Sequence, residues 1–181
     1  QGWSMKKLHR LIVTSATYRQ SSKVPAELRG RDPFSRLYAR GPRVRLEAEM
    51  IRDQALAVSG LLSRKMHGPS VYPPQPDGLW QAAFNGERTW QTSKGEDRYR
   101  RGLYTFVFRA TPPPSLSVFD APEGFSTCTR RIRSNTPLQA LTLLNDASYF
   151  EFAQALEKII VRDGLAAAFQ RCVSRPPSTD E

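Results

Sequence analysis

Between residues 68 and 97 the chain reads GPSVYPPQPDGLWQAAFNGERTWQTSKGED, and this stretch constrains the fold more than any other. Proline has no backbone N–H and its ring clashes with the preceding turn, so Pro69, Pro73, Pro74 and Pro76 forbid a long helix here. Yet Tyr72, Trp80, Phe84 and Trp90 are too apolar for a flexible linker. The stretch is expected to be an ordered loop held on its surroundings by aromatic rings, with a short strand pair around Trp80 and Trp90. The fold must therefore be built from helices on either side of a long irregular middle.

Those helices are visible as periodicity. Between Pro42 and Met66, Val44, Ala48, Ile51, Ala55, Val58 and Leu62 recur in steps of three and four, which predicts a helix with one buried face. Arg43 and Glu47, and Arg45 and Glu49, are four apart and would pair along its outer side. Residues 3–20 predict an amphipathic helix beginning near Ser4, with Met5, Leu8 and Ile12 on one face and Lys6, Lys7 and Arg10 elsewhere. RYRRGLYTFVFRA, residues 98–110, carries both strand and helix periods; the helix is preferred, with Pro112 to Pro114 as its stop. A second irregular segment, 111–129, follows. Three helices close the chain, over 137–145, 147–162 and 165–174, separated by Asn145–Asp146 and by Gly164.

The fold class is thus mainly α: a helical core with long ordered Pro/Gly-rich loops at 67–97 and 111–129. Residues 1–181 are read as one domain cut from a larger protein. QGWSMKKLHRL lacks an initiator Met and enters an amphipathic pattern at once, while SRPPSTDE stops where a further helix could begin. No run approaches the roughly 20 apolar residues that a membrane span requires. With 39% hydrophobic and 24% charged residues the composition is that of a globular chain.

Charge and arginine carry the functional reading. Twenty-seven basic and seventeen acidic residues give a net charge of +10, which favours an acidic partner: nucleic acid, an anionic glycan, a membrane surface or an acidic neighbouring domain. The basic residues are spread through the chain, and no helix-turn-helix, zinc finger or RNA-recognition pattern accompanies them, which argues against nucleic acid. The arginines cluster as Arg98, Arg100 and Arg101, with Arg109 beyond; as Arg40, Arg43 and Arg45; and as Arg130, Arg131 and Arg133. The last three stand just before a helix start marked by Thr136, Pro137 and Gln139, where the dipole disfavours cations. Something must hold them. Two uses fit: tying irregular loops down through Asp120, Glu123, Glu47, Glu49 and Asp53, or forming an anion pocket from Arg98, Arg101, Arg130, Arg131 and Arg133.

Other chemistry is sparse. His9 and His67 are far apart, His9 is expected to be partly buried, and no cluster has zinc-ligand spacing, so no metal is expected. Cys128 and Cys172 do not form a C-x-x-C pair or a C-x-x-C-H haem attachment site. Cys128, in FSTCTRR, is either a reactive thiol favoured by basic neighbours or a small buried side chain. P-loop, dinucleotide and nucleophile-elbow motifs are absent.

LHRLIVTSATYRQSS, the segment from RVRLEAEM to PPQPDGLW, YRRGLYTFVFR, PPPSLSVFDAP and CTRRIRSNTPLQALTLLND occur in an order that resembles the planctomycete-type PSD domain of unknown function. That domain lies towards the C-terminus of large proteins that also carry cytochrome c-like domains. The resemblance implies an exported, extracytoplasmic setting in the periplasm or cell envelope. It also implies a haem-binding motif in another domain, and supplies no catalytic residues; no cofactor is expected in this stretch. On this basis the chain is expected to be a non-catalytic interaction module whose arginine-rich surface meets an adjoining domain, another acidic protein or an anionic glycan. The rival is part of an enzyme acting on a sulfated or carboxylated glycan, with Asp120, His9 or Cys128 supplying acid, base or nucleophile.

Overall fold

The helix expected between Pro42 and Met66 forms over a shorter span, and its start explains much of what surrounds it. The structure is a computed structural model that describes residues 2–86 and 88–181. Its fold is mainly α, with eight α-helices and no sheet among the described residues. The chain divides into two compact units, Gln1–Arg45 and Leu46–Glu181.

In the first unit, α1 (Met5–Thr14) begins where expected, with the Ser4 hydroxyl accepting from the Lys7 N–H at 3.3 Å. It ends six residues short of the sequence reading, and the short α2 (Ala26–Arg31) follows. The chain then knots around Asp32. Its carboxylate accepts from the backbone N–H of Arg36 (2.8 Å) and Leu37 (2.9 Å), while Arg40 donates to the carbonyls of Asp32 (2.8 Å) and Pro33 (2.6 Å). The N–H of Leu37 does most to hold this carboxyl below the usual carboxylate range. Asp32 is the only buried residue among the described residues of this unit. His9, expected to be partly buried, is exposed on α1, because α1 buries none of its residues.

The second unit is organised by α3 (Ala48–Ser59), which buries Ala48, Arg52, Leu56 and Ser59. The buried face is rotated one position from the apolar stripe of the sequence, because a guanidinium lies at its centre. Arg52 donates to the Arg98 carbonyl at 2.8 Å and stands 5.8 Å from the centre of the Phe152 ring. Burial pulls its pKa down, opposed by Tyr149, Asp53 and Asp146. Glu47 is the N-cap, so residues 43–47 are not helical and the expected four-residue spacing of Arg43–Glu47 and Arg45–Glu49 does not lie along a helix.

The middle of the chain is ordered by its aromatic rings, but the expected strand pair is absent. Trp80 lies in a one-turn helix, α4 (Leu79–Ala83), and Trp90 in a segment without regular structure. Ring centres of Trp80 stand 5.1, 5.4 and 5.5 Å from those of Phe84, Trp90 and Phe108, and Tyr72 stacks 5.0 Å from Phe106. The Trp90 indole N–H donates to the Pro73 carbonyl at 2.7 Å.

Residues 98–110 do not form the expected helix. Two 3-10 turns, Gly95–Tyr99 and Gly102–Tyr104, alternate with isolated parallel bridges from Ser63 to Arg100 and from Val71 to Thr105. The strand-like alternation has its own use here: Phe106 and Phe108 both enter the aromatic cluster. A side chain on Gly102 would sit 2.8 Å from the Glu49 Cα, so the second turn can lie directly on α3 only as glycine.

The prolines at 112–114 open a helix instead of ending one. Pro113 is the N-cap of α5 (Pro114–Ser117), and Pro114 takes the first helical position, where its missing N–H costs nothing. Leu116 and Phe119 close over Ala48, with Ile51, Val118, Ala121 and Tyr149 packed round them. The final helices match the sequence reading closely: α6 (Pro137–Asn145), α7 (Ala147–Asp163) and α8 (Leu165–Val173). α7 packs on α3, α6 and α8. Among the described residues no helix is long and apolar enough to cross a membrane.

Candidate anion-binding site

Residues 120–134 form a loop whose two ends are fastened together. Asp120 has φ of +63°, which turns the chain sharply out of α5. Its carboxylate accepts from the Ser134 N–H (2.7 Å) and hydroxyl (2.9 Å). Gln139, 0% exposed, completes the knot: its carboxamide donates to the Val118 carbonyl and the Ser134 hydroxyl, both at 2.9 Å, and accepts from the Thr136 N–H at 3.2 Å. The last of these is half of the capping box that the sequence marks at the start of α6. One glutamine thus caps a helix and ties both ends of a loop.

The loop carries Arg130, Arg131 and Arg133, and each finds a different environment. Arg131 forks onto Glu49, with Nη1 to Oε2 at 2.6 Å and Nη2 to Oε1 at 3.1 Å, and reaches Glu47 at 3.3 Å. Both carboxylates stand at the N-terminus of α3, where the dipole already favours negative charge. The hydrogen bond from Arg131 pulls the Glu49 carboxyl below its usual range, and the same bond raises Arg131. Arg133 only grazes Glu47 at 4.0 Å and stays half exposed. Arg130 is exposed and has no acceptor among the described residues. The guanidinium that precedes α6 is therefore held by the start of another helix, α3.

An open cavity of about 930 Å³ lies against this loop, lined by Glu47, Pro122, Cys128, Thr129 and Arg130 to Arg133. A second, of about 460 Å³, shares Pro122 and Cys128 to Ile132 and continues along Asp120 to Glu123. Cys128 is an exposed free thiol on both, and Cys172 is free and half buried.

Arg98 and Arg101 do not join them. Arg98 forks onto Glu151 of α7 at 2.8–3.1 Å, and the Tyr99 hydroxyl donates to the same carboxylate at 2.6 Å. Burial pushes Glu151 up, yet the bonds from Arg98 and Tyr99 leave it below its usual range. Arg101 points its Nη2 at the Met66 sulfur, 2.7 Å away, and its Nε is buried without a partner. Between them sits the most deeply enclosed arginine. Arg100, 1% exposed, donates to the carbonyls of Lys65, His67 and Pro69 and stacks 3.7 Å from the centre of the Tyr104 ring.

Of the acids expected to tie loops down, Glu47 and Glu49 bind arginine, and Asp53 instead accepts from the Gly102 N–H at 2.6 Å. Glu151, the partner of Arg98, carries no local signal, since 53 residues separate the two. Among the described residues no three His, Cys, Asp or Glu side chains are grouped to hold a metal ion.

Among curated proteins and solved structures none matches the chain. A family model described as PSD1, protein of unknown function (DUF1553), matches residues 1–181. From end to end, the chain belongs to the PSD1 family of proteins of unknown function.

Proposed function

We propose that the chain is an interaction module whose 120–134 loop presents Arg130 and Arg133 to an acidic partner, a neighbouring domain or an anionic polymer, in an extracytoplasmic setting. One observation carries this reading: within a single loop, Arg131 is spent on two carboxylates while Arg130 and Arg133 stay open on a cavity of about 930 Å³. Arg131 holds the loop to the start of α3, which leaves Arg130 without an acceptor among the described residues and Arg133 with only a 4.0 Å contact to Glu47. Guanidinium groups suit carboxylate or sulfate oxygens, which they can meet with two parallel hydrogen bonds. The rival catalytic reading would have to do without Asp120 as acid or base, since its carboxylate is taken up by Ser134 and Gln139.

Cys128 offers a local readout, because it lines the same cavity. Alkylation of Cys128 by a neutral reagent, followed by mass spectrometry with Cys172 as internal reference, should slow severalfold when hexaglutamate or a sulfated disaccharide is added. The Arg130→Glu/Arg133→Glu variant should lose that protection and keep its melting temperature. Protection that survives the double variant, or that never develops, would sink the proposal.

A further inference from the structure

The net charge of the chain is not shared between its two units. Residues 1–45 hold eleven basic and two acidic residues, net +9, whereas residues 46–181 hold sixteen and fifteen, net +1. The same 45 residues bury no apolar side chain among those described. Their longest helix, α1, is sharply two-sided. Met5, Leu8, Leu11 and Ile12 share one arc, Lys7 flanks it beside Leu11, and Lys6 and Arg10 fall on the opposite side, with Val13 next to Lys6. All four residues of the apolar arc are exposed, Leu11 to 55% and Ile12 to 46%, and Trp3 before them is fully exposed. A ten-residue helix has little stability in water by itself, so α1 depends on whatever covers that face.

We infer that the first unit docks on an anionic lipid surface, with α1 lying in the interface plane. Its aliphatic arc enters the acyl boundary, Trp3 sits at headgroup depth, and Lys6, Lys7 and Arg10 meet the lipid phosphates. Charge complementarity favours a surface dense in negative charge. Lipid fits better than a protein groove for a second reason. Exposed apolar residues recur beyond α1, at Phe34, Leu37 and Tyr38, with the exposed Arg36 among them. A fluid interface takes up such scattered rings and aliphatic chains without needing one complementary shape, whereas a groove covers a single strip. This inference does not rest on the loop cavity of the other unit.

Co-sedimentation of the whole chain with phosphatidylglycerol–phosphatidylcholine vesicles, compared with phosphatidylcholine alone, tests it. Binding is expected to the anionic vesicles only, with a blue shift of tryptophan emission. Replacing Lys6, Lys7 and Arg10 by Gln should weaken it by about fivefold per charge, on the order of a hundredfold together. Leu8→Glu/Ile12→Glu should abolish it and leave the melting temperature in lipid-free buffer unchanged. Four results would each overturn the inference. They are no binding to anionic vesicles, binding indifferent to the Leu8/Ile12 pair, a lowered melting temperature for that pair, which would mean the chain covers its own α1, or a dimer in lipid-free buffer that the pair dissolves.

Discussion

The two units of this chain differ in how many acids accompany their arginines, although each ties down a loop with one: Arg40 on the carbonyls of Asp32 and Pro33 in the first, Arg100 on three carbonyls in the second. In residues 46–181 sixteen basic residues face fifteen acids, and four of the guanidinium groups are turned inward: Arg52 onto the Arg98 carbonyl, Arg98 onto Glu151, Arg100 onto three carbonyls, Arg131 onto Glu49 and Glu47. In residues 1–45 eleven basic residues face two acids, so the unit's own carboxylates can neutralise only a small part of that charge. Loops without a sheet or helix ladder leave carbonyls that need donors, and a guanidinium supplies five N–H groups on a long stem. Arginine in the second unit does the work that secondary structure would otherwise do.

Arg100→Ala should therefore have the largest effect. It would strand the carbonyls of Lys65, His67 and Pro69 and empty the space against Tyr104, with a loss of about 3–5 kcal/mol measured by urea unfolding. Arg100→Lys should not rescue it, because one ammonium cannot span three carbonyls that a planar fork reaches together. A variant within 0.5 kcal/mol of the parent would mean that these carbonyls find water, and the contrast between the units would lose its strongest example.

How much of this could be read from the sequence depends on distance along the chain. The caps of α1 and α6 and the bounds of α6 to α8 were legible because Ser4, Thr136, Pro137, Gln139 and Gly164 act within one turn of where they stand. The route of residues 98–110 was not. Its conformation is set by Arg100 reaching carbonyls 31 to 35 residues earlier, and no local period encodes that. The buried face of α3 was misplaced by one position for the same reason: Arg52 looks like a surface residue until Phe152 and the Arg98 carbonyl are brought to it. Of the five candidate anion-binding arginines, Arg98 and Arg101 were grouped with the loop trio by residue type alone. The charge partition, by contrast, was legible. Basic residues occur throughout, and it is the acids that the first 45 residues lack.

Arg131→Ala probes the middle of the range, since its side chain is 29% exposed and that of Glu49 30%. Loss of a forked, partly shielded pair should cost about 1–2 kcal/mol at neutral pH. The pH dependence has a definite sign. Glu49 titrates below its ordinary value of 4.5 in the folded chain, so its contribution is present above that value and is lost as pH falls through the lowered one. The difference in stability between parent and variant should then shrink steadily on acidification below about pH 4.5. A difference that is flat across that range would assign the loss to packing of the arginine stem.

The smallest effect belongs to the first unit. Arg31 and Glu27 form the ion pair of α2 at 3.6 Å, one helical turn apart, with both side chains about four-fifths exposed. Such a pair contributes about 0.3–0.5 kcal/mol at low salt, and less once the Debye length falls to about 8 Å at physiological ionic strength. Removing the positive charge also relieves repulsion within a unit of net charge +9, and the two terms oppose each other. Arg31→Gln should accordingly change unfolding stability by less than about 0.3 kcal/mol, in either direction, in 150 mM salt. A loss of 1 kcal/mol or more would show that the first unit leans on a second arginine besides Arg40, and would narrow the distinction drawn between them.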